Sequence, residues 1–533
     1  MPTRPQRLLL TGGRLVGHGA PSTGSDSLLI EGDRILWIGP AADAPAADRR
    51  IALGGAAVVP GLTDAHIHLL AIAEDRLQTP LSGPAVDSID RLIEHLAAAA
   101  ASTPATEWVI GSGYNEFNLA EKRVPTREEL DRVQPGRPVL IRRVGGHFAV
   151  ANSAALAAAG VDETTPDPEG GRFERRDGRL TGSLAELAAD VVYARAPRPS
   201  PQRLATAICA VAHEYLGYGI TAAVEAAVGF TAGFSIEWDI WQRLRQAGDF
   251  PLRMGFMLRI DAEEAAKHGL VPGPIDLDWQ VRTLKFFADG IIGARTAAFS
   301  EPYHDCPGCG FLMKPSEDLR RDFLAAHRAG WQIAVHAIGD VAIATALGAY
   351  QEAQRATPRP DTRHRIEHLG YPGPGTIAAL QATRSVVVTQ PGFLRNLGDG
   401  FAAALGPTRV HRLYPGRSLL DAGIDVAGSS DGPIGPPSPF VGMAAAVDRR
   451  TAQGLVIGPA EALHAAEALH LYAGAGAHVM SHETHRGRLQ PGMLADLAVL
   501  DEDPTAISPD RVGRLRARMT VARGQIVHGE DES

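Results

Sequence analysis

Two histidines two residues apart close the run Val58-Val59-Pro60-Gly61-Leu62-Thr63-Asp64-Ala65-His66-Ile67-His68. The run starts apolar and β-branched, as a buried strand does. Residues i, i+2 and i+4 of a strand share a face, so Asp64, His66 and His68 point the same way. Two imidazoles side by side at a strand end can hold one metal ion from one direction. Alone, the pattern also reads as a polar strand end with two exposed histidines. Asp64 can orient a histidine from behind the site, or serve the strand alone.

Further along, other chemistry-bearing residues sit in or just after short apolar runs. Lys285 lies in 281–288. His336 closes Ala334-Val335-His336, His368 closes Arg365-Ile366-Glu367-His368, and Asp431 closes Ser429-Ser430-Asp431. Each has a plainer reading by itself, since most histidines are not ligands and most aspartates cap helices. Together, on strands one, four, five, six and eight, four histidines, a lysine and an aspartate read as a metal site.

That reading requires strands whose ends meet. Runs 220–225, 252–259, 281–288, 332–336, 365–368, 386–390 and 425–429 join the run ending at His68 to make eight. Amphipathic stretches such as 317–328 and 341–355 separate many of them. Eight βα units predict a parallel (β/α)8 barrel, an α/β fold whose chemistry lies at the C-terminal ends of its strands. The connection from 69 to 219 is too long for one barrel helix. It holds helical patterns at 88–101 and 127–133, strand patterns at 108–111 and 139–142, and the turn Glu169-Gly170-Gly171. Only 201–216 reads as the helix before strand two. The rest, about 75–200, is predicted to be an insertion that shapes a substrate pocket.

Both ends look different. Residues 7–11, 27–31 and 34–38 are strand-like, as are 496–500, 519–522 and 525–528. Neither set is enough for a sandwich, and together they are. The predicted domains are therefore 1–57 and 481–533, which form one small composite β-sandwich, and 58–480, the barrel.

The 533 residues carry a net charge of −9 without a basic cluster, so nucleic acid is not an expected partner. No stretch approaches the ~20 apolar residues of a membrane span, and Leu8-Leu9-Leu10 is too short for a signal peptide. Three cysteines, Cys209, Cys306 and Cys309, are no disulfide framework. These features predict a cytoplasmic protein without a membrane partner; a homo-oligomer is compatible with them. The single Cys306-x-x-Cys309 pair is read as loop chemistry, because a structural zinc needs four ligands. His478, His482 and His485 fall outside the strand-end pattern and are expected at the surface.

The chain resembles the amidohydrolase superfamily over almost its whole length, and within it amidohydrolase family 3, with its N-substituted formamide deformylase-like proteins. The resemblance rests on the Pro60–His68 motif, Lys285-Phe286-Phe287-Ala288-Asp289-Gly290, His336-Ala337-Ile338-Gly339-Asp340, Arg365-Ile366-Glu367-His368, Ser430-Asp431 and 487–496. Pro125-Thr126-Arg127, Gly146-His147 and Asn152-Ser153 resemble this branch in particular. Gly145 departs from it, where an acidic residue is expected.

The resemblance implies two divalent metal ions, with zinc the default and iron or manganese the alternatives. It implies that Lys285 is carboxylated and bridges them. His66, His68, Lys285 and Asp431 would hold one ion, and Lys285, His336 and His368 the other. The implied reaction is attack of a metal-bridging hydroxide on a small-molecule amide, an N-acyl or N-formyl amine, with Asp431 moving the proton. His368 is both ligand and catalytic group in this scheme. Asp289 and His147 are candidate substrate contacts. Alternatives are a cyclic amide hydrolase, a deaminase, and a non-catalytic regulatory protein that keeps the fold.

Overall fold

The computed structural model describes residues 6–529 apart from 18, 20–23, 83–84, 144–147 and 169–170. Its largest sheet holds eight parallel strands in chain order: β1 (Leu62–Ile67), β2 (Ile220–Val228), β3 (Arg253–Leu258), β4 (Trp279–Phe287), β5 (Gln332–Ala337), β6 (Arg365–His368), β7 (Val386–Thr389) and β8 (Val426–Gly428). Each pairs in parallel with the next. The ring is drawn together just past its last strand. Asp431 donates its N–H to His66 O at 2.8 Å, and His68 donates its N–H to Gly432 O at 3.0 Å. The expected (β/α)8 barrel is therefore present.

Burial explains the composition of the strands. Every residue of β2, from Ile220 to Val228, is buried, as in a parallel strand covered on both faces. It outruns the predicted end at 225 because Ala226-Ala227-Val228 is equally apolar. Helix Ser316–Arg328 packs Leu319, Phe323 and Ala326 inward at helical spacing. It begins with Glu317 and Asp318 and ends with His327 and Arg328, which suits the helix dipole. Among the described residues, no helix is long and apolar enough to cross a membrane.

The termini build two further sheets. Arg34–Gly39, Ser27–Glu31, Arg7–Thr11 and Arg49–Ala52 form one; Arg14–Leu15, Ala57–Pro60, Leu497–Leu500, Ala517–Ala522 and Gln525–His528 form the other. They share a core in which Leu10, Leu28 and Ile30 meet Val58, Leu497, Val499 and Val521. The second sheet is composite, with strands from both ends of the chain. Arg49–Ala52 is absent from the sequence reading because an edge strand led by exposed Arg49 and Arg50 has no apolar alternation. Gly61 carries the chain from this sheet into β1. A Cβ there would sit 2.3 Å from Thr221 Oγ1 and 3.0 Å from the Asp496 carbonyl carbon.

Residues 70–208 form a compact unit of their own. Its sheet runs Gly171–Arg176, Arg179–Glu186, Phe148–Ala151, Val139–Arg143, Val109–Tyr114, Thr79–Pro80. Two motifs noted in the sequence are local structure here. Thr126 and Glu129 make a capping box on helix Arg127–Asp131. Asn152 accepts the Ala155 N–H at the start of helix Ser153–Ala159 and also the Val139 N–H. Gly145, His147 and most of the Glu169-Gly170-Gly171 turn lie outside the described residues.

Candidate active site

The ends of β1, β6 and β8 converge. One donor atom each from His66, His368 and Asp431 lies within 4.8 Å of the others, and all three residues are buried. His66 Nε2 is 3.4 Å from Asp431 Oδ1, and His68 Nε2 is 3.3 Å from the same oxygen. The His336 ring, from β5, lies 4.5 Å from the His368 ring. Lys285, on β4, is buried close enough for its charge to act on His66, His336 and His368.

The outer nitrogen of three imidazoles is taken. His66 Nδ1 bonds Glu367 Oε2 at 2.5 Å, His368 Nδ1 bonds Gln390 Oε1 at 2.8 Å, and His336 Nε2 bonds Gly290 O at 2.9 Å. Each bond fixes a tautomer, with the other ring nitrogen free to ligate. Burial, helped by the Lys285 charge, holds His66 well below the ordinary histidine range; it does the same to His368, with His336 and His66 adding to the effect. Burial takes His336 down to about 4. Neutral imidazole is the ligating form. Burial also lowers Lys285 to about 8, although Glu367 and Asp431 favour its charge.

Two site residues occupy left-handed backbone, His368 at φ 74° and Asp431 at φ 53°. Non-glycine residues pay on the order of 1–3 kcal/mol there, and such strain clusters at functional sites. Strict alternation along β6 puts Arg365 and Glu367 on one face, and the turn at His368 brings its ring to the same centre.

Sequence reasoning missed Glu367, Arg365 and Gln390 as working residues. Arg365 is buried and donates from Nε to Glu367 Oε1 at 2.6 Å and from Nη2 to Oε2 at 3.1 Å. The signal was available: opposite charges two residues apart on a strand share a face, here inside a barrel.

Of the two roles open to Asp64, the contacts favour the structural one: among the described residues no imidazole bonds its carboxylate. It accepts from His66 N at 3.2 Å, Ser430 N at 3.1 Å and Ser430 Oγ at 2.5 Å, tying β1 to the end of β8 beside Asp431. Asp289 accepts from the N–H groups of Ala298, Ile338 and Gly339 at 2.8–3.0 Å, so its carboxylate holds the β4 and β5 loops. Burial pushes both carboxyls up to about 7. His482 is corrected. It is buried, and burial beside Arg486 and Arg253 lowers it to about 4. His147 lies outside the described residues. Cys306 and Cys309 are half-buried free thiols, and the Gly308 and Cys309 carbonyls accept from Tyr303 and Phe299 within the loop after β4.

The amidohydrolase family model matches residues 49–528. The chain belongs to the amidohydrolase family. As such it is a metal-dependent hydrolase of carbon–nitrogen bonds. YtcJ of Bacillus subtilis (strain 168) is 32% identical over 487 residues, 90% of each chain. The N-substituted formamide deformylase of Arthrobacter pascens is 29% identical over 543 residues, 98% of each chain. An uncharacterized metal-dependent hydrolase from Pyrococcus furiosus superposes with a TM-score of 0.77 at 25% identity, covering 94% of this amidohydrolase and 100% of that chain.

Proposed function

We propose that this amidohydrolase cleaves a non-peptide amide, such as an N-acyl or N-formyl amine, at a centre for two divalent metal ions. The observation that carries the reading is the convergence of His66, His368 and Asp431 within 4.8 Å in buried surroundings. The donor set fits such ions. The imidazoles of His66, His336 and His368 are neutral and oriented from behind, and a carboxylate joins them. His66, His68, Lys285 and Asp431 would hold one ion; Lys285, His336 and His368 the other. Zinc suits imidazole and carboxylate donors best, and iron or manganese accept the same set. Bound there, the ions supply Lewis acidity toward a carbonyl and a hydroxide nucleophile near neutral pH.

The remaining work belongs to the chain. Lys285 is a poor ligand as an ammonium, and its burial favours the neutral amine, which adds carbon dioxide to become an anionic carbamate. Glu367, Gln390 and the Gly290 carbonyl keep protons on the outer nitrogens. Asp431, whose Oδ1 lies between His66 Nε2 and His68 Nε2, takes a proton at that oxygen and returns it to the leaving amine. The formamide deformylase named above, similar over nearly the whole chain, supports a linear amide as substrate.

Elemental analysis together with a panel of N-formyl, N-acyl and cyclic amides tests the reading. The expected result is about two metal equivalents per chain and turnover of linear amides. Turnover confined to cyclic amides, or ammonia release, favours the cyclic amide hydrolase or the deaminase. A full metal complement without any turnover favours a regulatory protein, and absence of transition metal in protein purified without chelator defeats the site.

A further inference from the structure

One wall of the centre is aromatic and ends in a cation. Phe287, the last residue of β4, has its ring centroid 5.5 Å from that of His336 and 5.2 Å from Lys285 Nζ. Phe230, just beyond β2, lies 5.9 Å from the His68 ring and stacks on Phe287 at 5.7 Å with planes 23° apart. Arg259, just beyond β3, holds its guanidinium carbon 5.1 Å from the Phe230 centroid and 5.6 Å from that of Phe287. The strand order explains the grouping, because β2, β3 and β4 are neighbours.

Neither end of this wall is satisfied by the protein. Phe230 is 50% exposed. Arg259 is exposed, and among the described residues no carboxylate lies within ion-pair distance of it. A cavity of about 460 Å³ adjoins this wall on the side of Arg259, Lys285 and Phe287, with Met313, Lys314 and Leu319 also lining it; Phe230 stands outside it. Two of its acids are engaged elsewhere. Asp261 caps helix Ala262–Lys267, and Asp322 pairs with Lys314 at 3.2 Å. Glu264 also lines it.

We propose that Phe230, Phe287 and Arg259 bind the remote half of the substrate, and that this half is an aromatic ring carrying a carboxylate or similar anion. The proposal rests on the amide-hydrolase reading and names its substrate class. The exposed part of the Phe230 ring, continuous with Phe287, offers aromatic contact to a substrate ring. The guanidinium, already oriented by those rings, presents a planar fork that matches a carboxylate. Arg259 and Lys285 both border the Phe287 ring, at 5.6 Å and 5.2 Å from its centroid, so an anion held by Arg259 lies across that ring from the centre or beside it.

A matched pair tests this: 4-(acetamidomethyl)benzoate and N-benzylacetamide, which differ only in the carboxylate. The wild-type holoenzyme should prefer the first in kcat/KM. Arg259→Met keeps length and packing but not charge, and should lower that preference about ten- to hundredfold, the worth of one hydrogen-bonded ion pair. Arg259→Lys should recover part of it. Calorimetric binding of the carboxylated amide is measured alongside, so that the arginine is read whether or not the amide is cleaved. Binding that weakens in Arg259→Met without turnover of either amide would sustain the recognition site and defeat amide hydrolysis. Equal preference, or affinity unchanged between wild type and Arg259→Met, would overturn the proposal.

Discussion

His66 Nδ1 lies 2.5 Å from Glu367 Oε2, and Glu367 is in turn clamped by Arg365. This joins β1 to β6 through the barrel interior and aims His66 Nε2 at Asp431. A carboxylate behind a ligating imidazole raises its basicity and fixes its ring; loss of such a partner typically costs 10–100-fold in metal affinity. Glu367→Gln keeps an oxygen for Arg365 and so should stay folded. Dialysis against graded chelator should strip its metal at about ten- to hundredfold lower competitor than wild type needs. Identical retention in the two proteins would remove Glu367 from the metal centre.

The eight strands were legible because each is a short apolar run, and five of them also carry a chemistry-bearing residue in the run or at its end, as β6 does with His368. What local pattern does not carry is which strand ends touch. Asp64 shares a face with His66, yet two of its hydrogen bonds come from Ser430, far along the chain and adjacent only once the barrel closes. The same holds for Glu367, whose partner is His66 on a distant strand. His482 looks like a polar helix-end residue and is buried because its segment packs near Arg253 and Arg486, a contact no periodicity encodes.

Lys285 is the only described candidate donor from β4. Lys285→Ala should lose most of its metal and its turnover, and a small carboxylic acid such as propionate should restore part of both by filling the space. Reconstitution of metal-free wild type has a pH signature as well. Carbon dioxide adds to the neutral amine, and burial places Lys285 at about 8. At fixed carbon dioxide pressure the rate should therefore rise with pH up to about 8 and level off above it. A full metal content in Lys285→Ala would defeat the bridging role.

Asp496 anchors the returning chain beneath the barrel. It accepts from Arg253 Nε at 2.7 Å and from Arg523 N at 2.9 Å, with Arg486 3.4 Å away, and it is buried. Burial alone would raise its pKa, but Arg253 and Arg486 outweigh that and hold it below the ordinary carboxylate value. Removing one partner of a buried pair costs about 3–5 kcal/mol, so Asp496→Asn should melt well below wild type at pH 7. A depressed carboxylate stabilises above its unfolded pKa of about 4 and loses that contribution as pH falls through the folded value. The gap in melting temperature should therefore narrow as pH drops below about 4. A gap that stays constant with pH would show that lost packing, not charge, accounts for it.

Asp431 is assigned two tasks, and they predict different mutants. Its Oδ1 lies 3.3 Å from His68 Nε2 and 3.4 Å from His66 Nε2, and its backbone is held at φ 53° by the bond from its N–H to His66 O. An asparagine tolerates that left-handed backbone well, so Asp431→Asn should fold with the site geometry kept. If the side chain is only a ligand, the amide oxygen binds metal more weakly and added metal restores turnover. If it also carries a proton, the amide cannot accept one, and turnover stays low at saturating metal. General acid–base help is typically worth about 10²–10⁴-fold. The expected result is that Asp431→Asn, titrated with metal to a full complement by elemental analysis, remains about that far below wild type in kcat. Its melting temperature should meanwhile match that of the wild-type holoenzyme. Recovery of turnover in step with metal content would leave Asp431 as a ligand and nothing more.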